Sequence, residues 1–192
     1  MSLAVDIGQG AGLAGATGVR PFLPPLLAGA LAGGDIGLDF DGSGWEFLES
    51  PGFLLAVLAL AVISYGAERS GANRRALGWA TAVAATTLGA LLFGGSLAEG
   101  GHEALPGLIV GVFCALVAYM AVSGLLDRAS RRLEEGPAAL LTVYADVAAL
   151  VLAAMAIFVP PVALLAFVAF ALLLIRGRGQ DDRKYAGLRI LR

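Results

Sequence analysis

Stretches without a single formal charge dominate this chain, and their lengths leave few folds open. A bilayer's hydrocarbon core is about 30 Å thick and takes about 20 apolar residues to cross as a helix. Pro51 to Ala67, Ala76 to Ala98 and Ala104 to Leu126 contain no Asp, Glu, Lys or Arg. From Ala138 to Ile175 the only charge is Asp146, in a run long enough for two spans, and from Ile7 to Gly34 the only charge is Arg20. Charged residues make up 15% of the 192, where a soluble domain carries about 25%. The expected fold is therefore an all-α polytopic integral membrane bundle of about six segments. Residues 1–176 form its transmembrane domain, and 177–192 a basic cytoplasmic tail.

The loops carry a strong charge asymmetry. Apart from Arg20, every Lys and Arg falls in one of three places: Arg69, Arg74 and Arg75; Arg128, Arg131 and Arg132; or the tail from Arg176 to Arg192. The two remaining connections hold acids and no bases, with Asp35, Asp39, Asp41, Glu46 and Glu49 in one, and Glu99 and Glu103 in the other. The positive-inside rule places the basic connections in the cytoplasm. If each segment crosses once, both termini are then cytoplasmic, in a cell inner membrane. The start "MSLAVD" lacks the basic region of a cleavable leader, so the first apolar segment is read as a retained span. Ser50-Pro51, Pro106 and Gly136-Pro137 mark helix starts, where proline lacks only an amide that would have no partner.

Arg20 sits in the middle of the first apolar segment, followed by Pro21, Pro24 and Pro25. An arginine at a span's centre costs about 2.5–3.5 kcal/mol on insertion scales, and an ionisable group at that depth points to function. The prolines must break the helix, and irregular backbone at that depth needs protein or a polar cavity around it. Upstream, Gly8, Gly12, Ala16 and Arg20 recur every four residues, a small-residue stripe that admits a close helix neighbour. This segment is therefore expected to be central and broken at its proline kink, with Arg20 near the midplane.

Two further features bear on Arg20. Phe158-Val159-Pro160-Pro161-Val162 repeats the pattern of Phe22-Leu23-Pro24-Pro25-Leu26, and paired interrupted segments mark transporter binding sites. Pro160 and Pro161 fit an ordinary turn between the last two spans equally well. Asp146, about 12 Å along the fifth span, is within reach of Arg20. Such a pair either locks the helices or governs a site in which Arg20 and the amides following Pro25 receive an anion.

These residues are the ones that carry a family resemblance. "GAGLAGATGVRPFLP", with Gly10, Gly12, Leu13, Gly18, Arg20, Phe22 and Pro24, and "ADVAALVLAAMAIFVPP", from Ala145 to Pro161, resemble the bacterial membrane family described as domain of unknown function 4126. The resemblance implies a membrane bundle over most of the chain and no particular activity. The family's paired Glu-Asp is replaced here by Ala145-Asp146, and its Asn-Pro turn by "LLTVY".

Other polar residues read as supporting. His102, with Glu99 and Glu103, lies in a short loop and is the only histidine, so neither a metal site nor a Ser-His-Asp set is expected. "DFDGSGWE" lacks the spacing of a calcium loop and reads as a solvated turn before an interfacial segment around Trp45, Phe47 and Leu48. Thr81, Thr86 and Thr87, with Gly89, Gly94 and Gly95, either line a polar path or serve helix packing. Cys114, alone, excludes an internal disulfide. The chain reads as a non-enzyme without cofactor or metal: a small transporter or lipid-carrier translocase. Its candidate substrate site is Arg20, Pro21, Pro24, Pro25, Asp146, Pro160 and Pro161. The partners this implies are membrane lipids, an anionic small molecule or lipid phosphate, and further copies of the chain, with no nucleic acid. The alternative is a non-transporting scaffold, assembly factor or channel with a structural Arg-Asp pair.

Overall fold

The computed structural model describes residues 2–70, 73–130 and 135–186, and every regular element among them is helical. In order these are α1 (Leu3–Val19), α2 (Leu23–Ala32), a single 3-10 turn (Glu46–Leu48), α3 (Pro51–Arg69), α4 (Arg74–Glu99), α5 (Ala104–Ser130), α6 (Glu135–Phe158) and α7 (Pro160–Ala186). Among the described residues, four stretches are long and apolar enough to cross a membrane: Pro51–Arg69, Arg75–Glu99, Ala104–Leu126 and Leu140–Phe158. Leu23–Ala32 is a shorter apolar helix, and Pro160–Leu173 is the apolar first part of α7. Large apolar side chains such as Leu55, Ile63, Trp79, Phe113 and Val147 lie exposed on the bundle's outside, where lipid rather than water is the solvent for which they are suited. The protein is a helical membrane bundle.

Helix starts follow the proline signals. Pro51 opens α3 behind Ser50, whose Oγ accepts from the Phe53 amide at 3.3 Å, an N-cap of the usual kind. Pro106 falls in the first turn of α5, and Gly136-Pro137 in that of α6.

α1 is the core of the molecule. It packs on α4, α5, α6 and α7, and every residue from Gly8 to Val19 is buried. The small residues make this possible on two faces at once. A Cβ on Gly12 would overlap those of Ala163 and Ala156, and one on Gly18 would run into the Ala115 carbonyl. On the opposite side Gly89 of α4 lies against Ala14. The stripe read from the sequence is thus a packing device, as are Gly94 and Gly95, whose space is taken up by Leu108, Trp45, Leu48 and Phe40.

The first segment does not cross as one span. Its neighbours fix its direction: Gly8 lies against Pro160, Ser96 Oγ donates to the Asp6 carbonyl at 3.1 Å, and Gln9 Nε2 donates to the Gly37 carbonyl at 3.3 Å. The start of α1 therefore lies at the end of the bundle that carries the acidic connections 33–50 and 100–103. The chain descends through α1, breaks, and returns through α2 to that same end. The single crossing expected from the sequence, with the chain's start beside the basic connections, is replaced by a helical hairpin. The cause is the proline cluster, which reverses the chain where a single kink was expected. Arg74, Arg128, Arg131, Arg132 and the tail bases beyond Arg176 have side chains outside the described set.

The acidic 33–50 connection is more than a solvated turn. Leu38, Phe40 and Leu48 are buried and join the core beneath α2 and α6, while Trp45, Phe47 and Phe53 form an aromatic chain with centroids 5.7 Å apart. Thr81 and Thr86 turn their hydroxyls back to their own helix, donating to the Leu77 and Ala82 carbonyls at 2.9 Å. Thr81 also lies 3.4 Å from the Tyr119 hydroxyl of α5.

Candidate functional site

The tip of the α1–α2 hairpin presents the one arginine of the apolar core. Pro21 disfavours helical geometry in the residue before it, and Arg20 is extended, at φ −144° and ψ 114°. Its amide still closes the last turn of α1 on the Ala16 carbonyl at 3.1 Å. Pro24 and Pro25 then fall in the first turn of α2, where a missing amide costs nothing. They also strip that turn of donors. The Leu26 amide is used by the Phe22 carbonyl at 3.3 Å, so the expected nest of α2 amides around an anion is not built.

The guanidinium instead meets side chains from two other helices. Arg20 Nε is 2.7 Å from Asp146 Oδ1 of α6, and Nη1 is 3.5 Å from Glu68 Oε1 of α3. Nη2 donates to the Thr142 carbonyl at 3.5 Å, and the Tyr65 ring centroid lies 5.7 Å from Cζ. The Asp146 contact is close but not aligned as a hydrogen bond, so its attraction is mainly Coulombic. Side-chain exposure is 15% for Arg20, 24% for Asp146 and 34% for Glu68. One cation thus faces two carboxylates at a half-dry site.

The cluster lies past the midplane, in the half of the bundle nearer the basic end. Asp146 is about 18 Å along α6 from Phe158, and Glu68 about 25 Å along α3 from Pro51, at 1.5 Å per residue. The midplane position expected for Arg20 assumed that the kinked segment crosses once. The hairpin carries its tip further.

Two cavities flank the cluster. A small one of about 20 Å³ is lined by Arg20, Pro21, Phe22, Leu23, Ser64, Tyr65, Glu68 and Thr81. A larger cleft of about 630 Å³ lies between α3 and α6, lined by Tyr65, Gly66, Glu68, Arg69, Thr142, Val143 and Asp146. The volume is in the range of small-molecule sites, about 300–1,000 Å³. Tyr65 and Glu68 belong to both walls, so the Arg20 cluster is the partition between them.

Of the residues singled out in the sequence, Arg20, Pro21 and Asp146 come together, with Pro24 and Pro25 directly behind in α2. Pro160 and Pro161 do not. They begin α7 after a one-residue link at Val159, whose amide donates to the Met155 carbonyl at 2.8 Å. Pro160 lies against Gly8 at the opposite end of the bundle. The repeated Phe-x-Pro-Pro pattern therefore marks two helix starts and not one site. Glu68 and Tyr65 were missed because they sit at the end of a span, next to Arg69, and resemble an ordinary interfacial flank.

A second polar cluster closes the other end of α1. Asp6 is buried, with Oδ2 3.4 Å from His102 Nε2, and neither atom has a hydrogen-bond partner among the described residues. Ser96 Oγ donates to Gln9 Oε1 at 3.3 Å, and Glu99 Oε1 accepts from the Asp39 amide at 3.1 Å. A Cβ at Gly100 would overlap the Asp6 carboxylate. His102, expected in a solvated loop, thus packs beside a buried acid that lies far from it in sequence. Nearby, Asp35, Asp39 and Asp41 bring carboxylate oxygens within 4.8 Å of one another on the exposed surface.

The family model described as domain of unknown function (DUF4126) matches residues 7–178, and the chain belongs to that family. No curated protein and no solved structure matches it.

Proposed function

We propose that this member of the DUF4126 family is a small transporter or translocase of a cell inner membrane, whose substrate brings an anionic group to Arg20. The observation that carries this reading is the partition. Arg20, Glu68 and Tyr65 separate a cleft of about 630 Å³ from a second cavity beneath the hairpin tip. A purely structural lock has no need of an adjoining cleft of ligand size. In this reading Asp146 and Glu68 hold the guanidinium at rest, and an anionic group entering the cleft competes with them for it. Exchange of partners would open the partition and join the two spaces.

The orientation that goes with it has Arg69, Arg74 and Arg75 in the cytoplasm by the positive-inside rule. The cleft then faces the cytoplasmic half of the membrane, and the start of α1 lies on the far side.

The scaffold reading is favoured by a different observation, the complete burial of α1 from Gly8 to Val19, which suits a static pillar. Thiol accessibility separates the two. Ser64 lines the small cavity behind the partition, and Cys114, the native thiol, is buried. Ser64→Cys in a Cys114→Ser background should react with a membrane-impermeant thiol reagent, faster in an added Arg20→Met variant. Absence of labelling from both sides of the membrane, in both backgrounds, would leave the scaffold.

A further inference from the structure

The charges around the cleft say more about what enters it than Arg20 alone does. Two carboxylates, Glu68 and Asp146, face one guanidinium, and both line the cleft. The remaining charge on its wall is Arg69, exposed at the last turn of α3 and without an ion-pair partner among the described residues. A purely anionic ligand that drew Arg20 away would leave two carboxylates without a counter-charge, and a purely cationic one would meet Arg69. A ligand carrying both charges leaves nothing unpaired: its ammonium takes the place of the guanidinium at Glu68 and Asp146, while its anion takes Arg69 and the released Arg20.

The cleft's position selects among such ligands. α3 leans on α2, α4 and the 3-10 turn, while α6 packs on α1, α2 and α7, and only residues of α3 and α6 line the cleft. Its wall includes an outward-facing apolar residue, Val143, 57% exposed, and Ile63 of α3 and Val147 of α6 are exposed on the same two helices. Charged groups at the end of a span with exposed hydrocarbon beside them match the layout of a lipid, headgroup at the interface and chains along the helices.

We propose that the α3–α6 cleft binds the headgroup of a phospholipid bearing a primary ammonium. The phosphate lies at Arg69 and Arg20, the ammonium at Glu68 and Asp146, and the acyl chains along the exposed faces of α3 and α6. This assignment rests on the transport reading for its role and deepens it by naming the substrate class. Binding itself is measurable without transport.

The test uses the full chain in nanodiscs of phosphatidylcholine doped with phosphatidylethanolamine or phosphatidylglycerol, with retained lipid counted by mass spectrometry after detergent extraction. Phosphatidylethanolamine should be retained at least tenfold over phosphatidylglycerol. Glu68→Gln should abolish that preference, and Arg69→Gln should lower retention of both lipids. Both substitutions are near-isosteric or exposed, and monodispersity of each variant confirms its fold. Equal retention of the two lipids by the wild type, or an unchanged preference in Glu68→Gln, would overturn the proposal. So would full competition by soluble glycerophosphoethanolamine, which would identify a free zwitterion as the ligand. A lipid preference without Ser64→Cys labelling would leave the lipid site standing and remove transport. Labelling without the preference would do the reverse.

Discussion

Removing the guanidinium charge at the hairpin tip has a calculable consequence. At 2.7 Å and an effective dielectric of about 20, the Arg20–Asp146 attraction is about 6 kcal/mol before desolvation. Breaking a fully buried pair by deleting one partner costs about 3–5 kcal/mol. Here Arg20 and Asp146 keep 15% and 24% of their side-chain exposure, so water screens part of the loss and the lower end applies. Glu68, at 3.5 Å and 34% exposed, adds no more than about 1 kcal/mol. Arg20→Met is thus expected to destabilise the bundle by about 3 kcal/mol, a fall in Tm of about 6–12 °C for a chain of this size. Asp146→Asn should cost about 2 kcal/mol, less because Glu68 still serves the guanidinium. The double variant should cost about 3 kcal/mol, so the two changes couple by about 2 kcal/mol. Reversible unfolding in mixed micelles, followed by helical circular dichroism, measures all three. An additive double variant, or an Arg20→Met protein as stable as the wild type, would refute the pairing as an energetic feature.

Four other substitutions probe the packing, the far end of α1 and the start of α3. Gly18→Ala should lose about 1–3 kcal/mol by overpacking against Ala115 and Ala118, whereas Gly66→Ala, with nothing within 4 Å of the new Cβ, should gain up to about 1 kcal/mol of helix propensity; thermal unfolding reads both signs. His102→Ala should cost about 1–3 kcal/mol by removing the one imidazole beside the buried Asp6 carboxyl, 3.4 Å away, and adding Asp6→Asn should recover most of it in the same assay. Ser50→Ala should cost about 1 kcal/mol through loss of the α3 N-cap, visible as faster amide exchange in the first turn of α3.

The long spans were legible in the sequence because charge and apolar length are local properties. Arg75–Glu99 and Ala104–Leu126 lie within three residues of the charge-free runs that foretold them. The Arg20–Asp146 pair was legible too, since each is the lone charge of its apolar stretch. The direction of α2 was not. Ile7 to Gly34 is long enough for one crossing, and a proline cluster permits a kink or a reversal. Only contacts distant in sequence, such as Asp6 with His102 and Gly18 with α5, decide between them. Glu68 was hidden for the same reason, because at the end of a straight span it has no evident partner until the hairpin tip arrives beside it. Pro160 and Pro161 misled because proline pairs open helices wherever a helix begins, at binding sites and in plain turns alike.

Arg20 reaches Glu68 and Asp146 because the first apolar segment descends and returns. Single cysteines at Ser2, Ile36 and Ser70, each in a Cys114→Ser background and labelled in sealed vesicles of known sidedness, test it most directly. The hairpin predicts that Ser2→Cys and Ile36→Cys react from the same side and Ser70→Cys from the other. Ser2→Cys reacting together with Ser70→Cys would mean that the segment crosses the membrane, and would contradict the account.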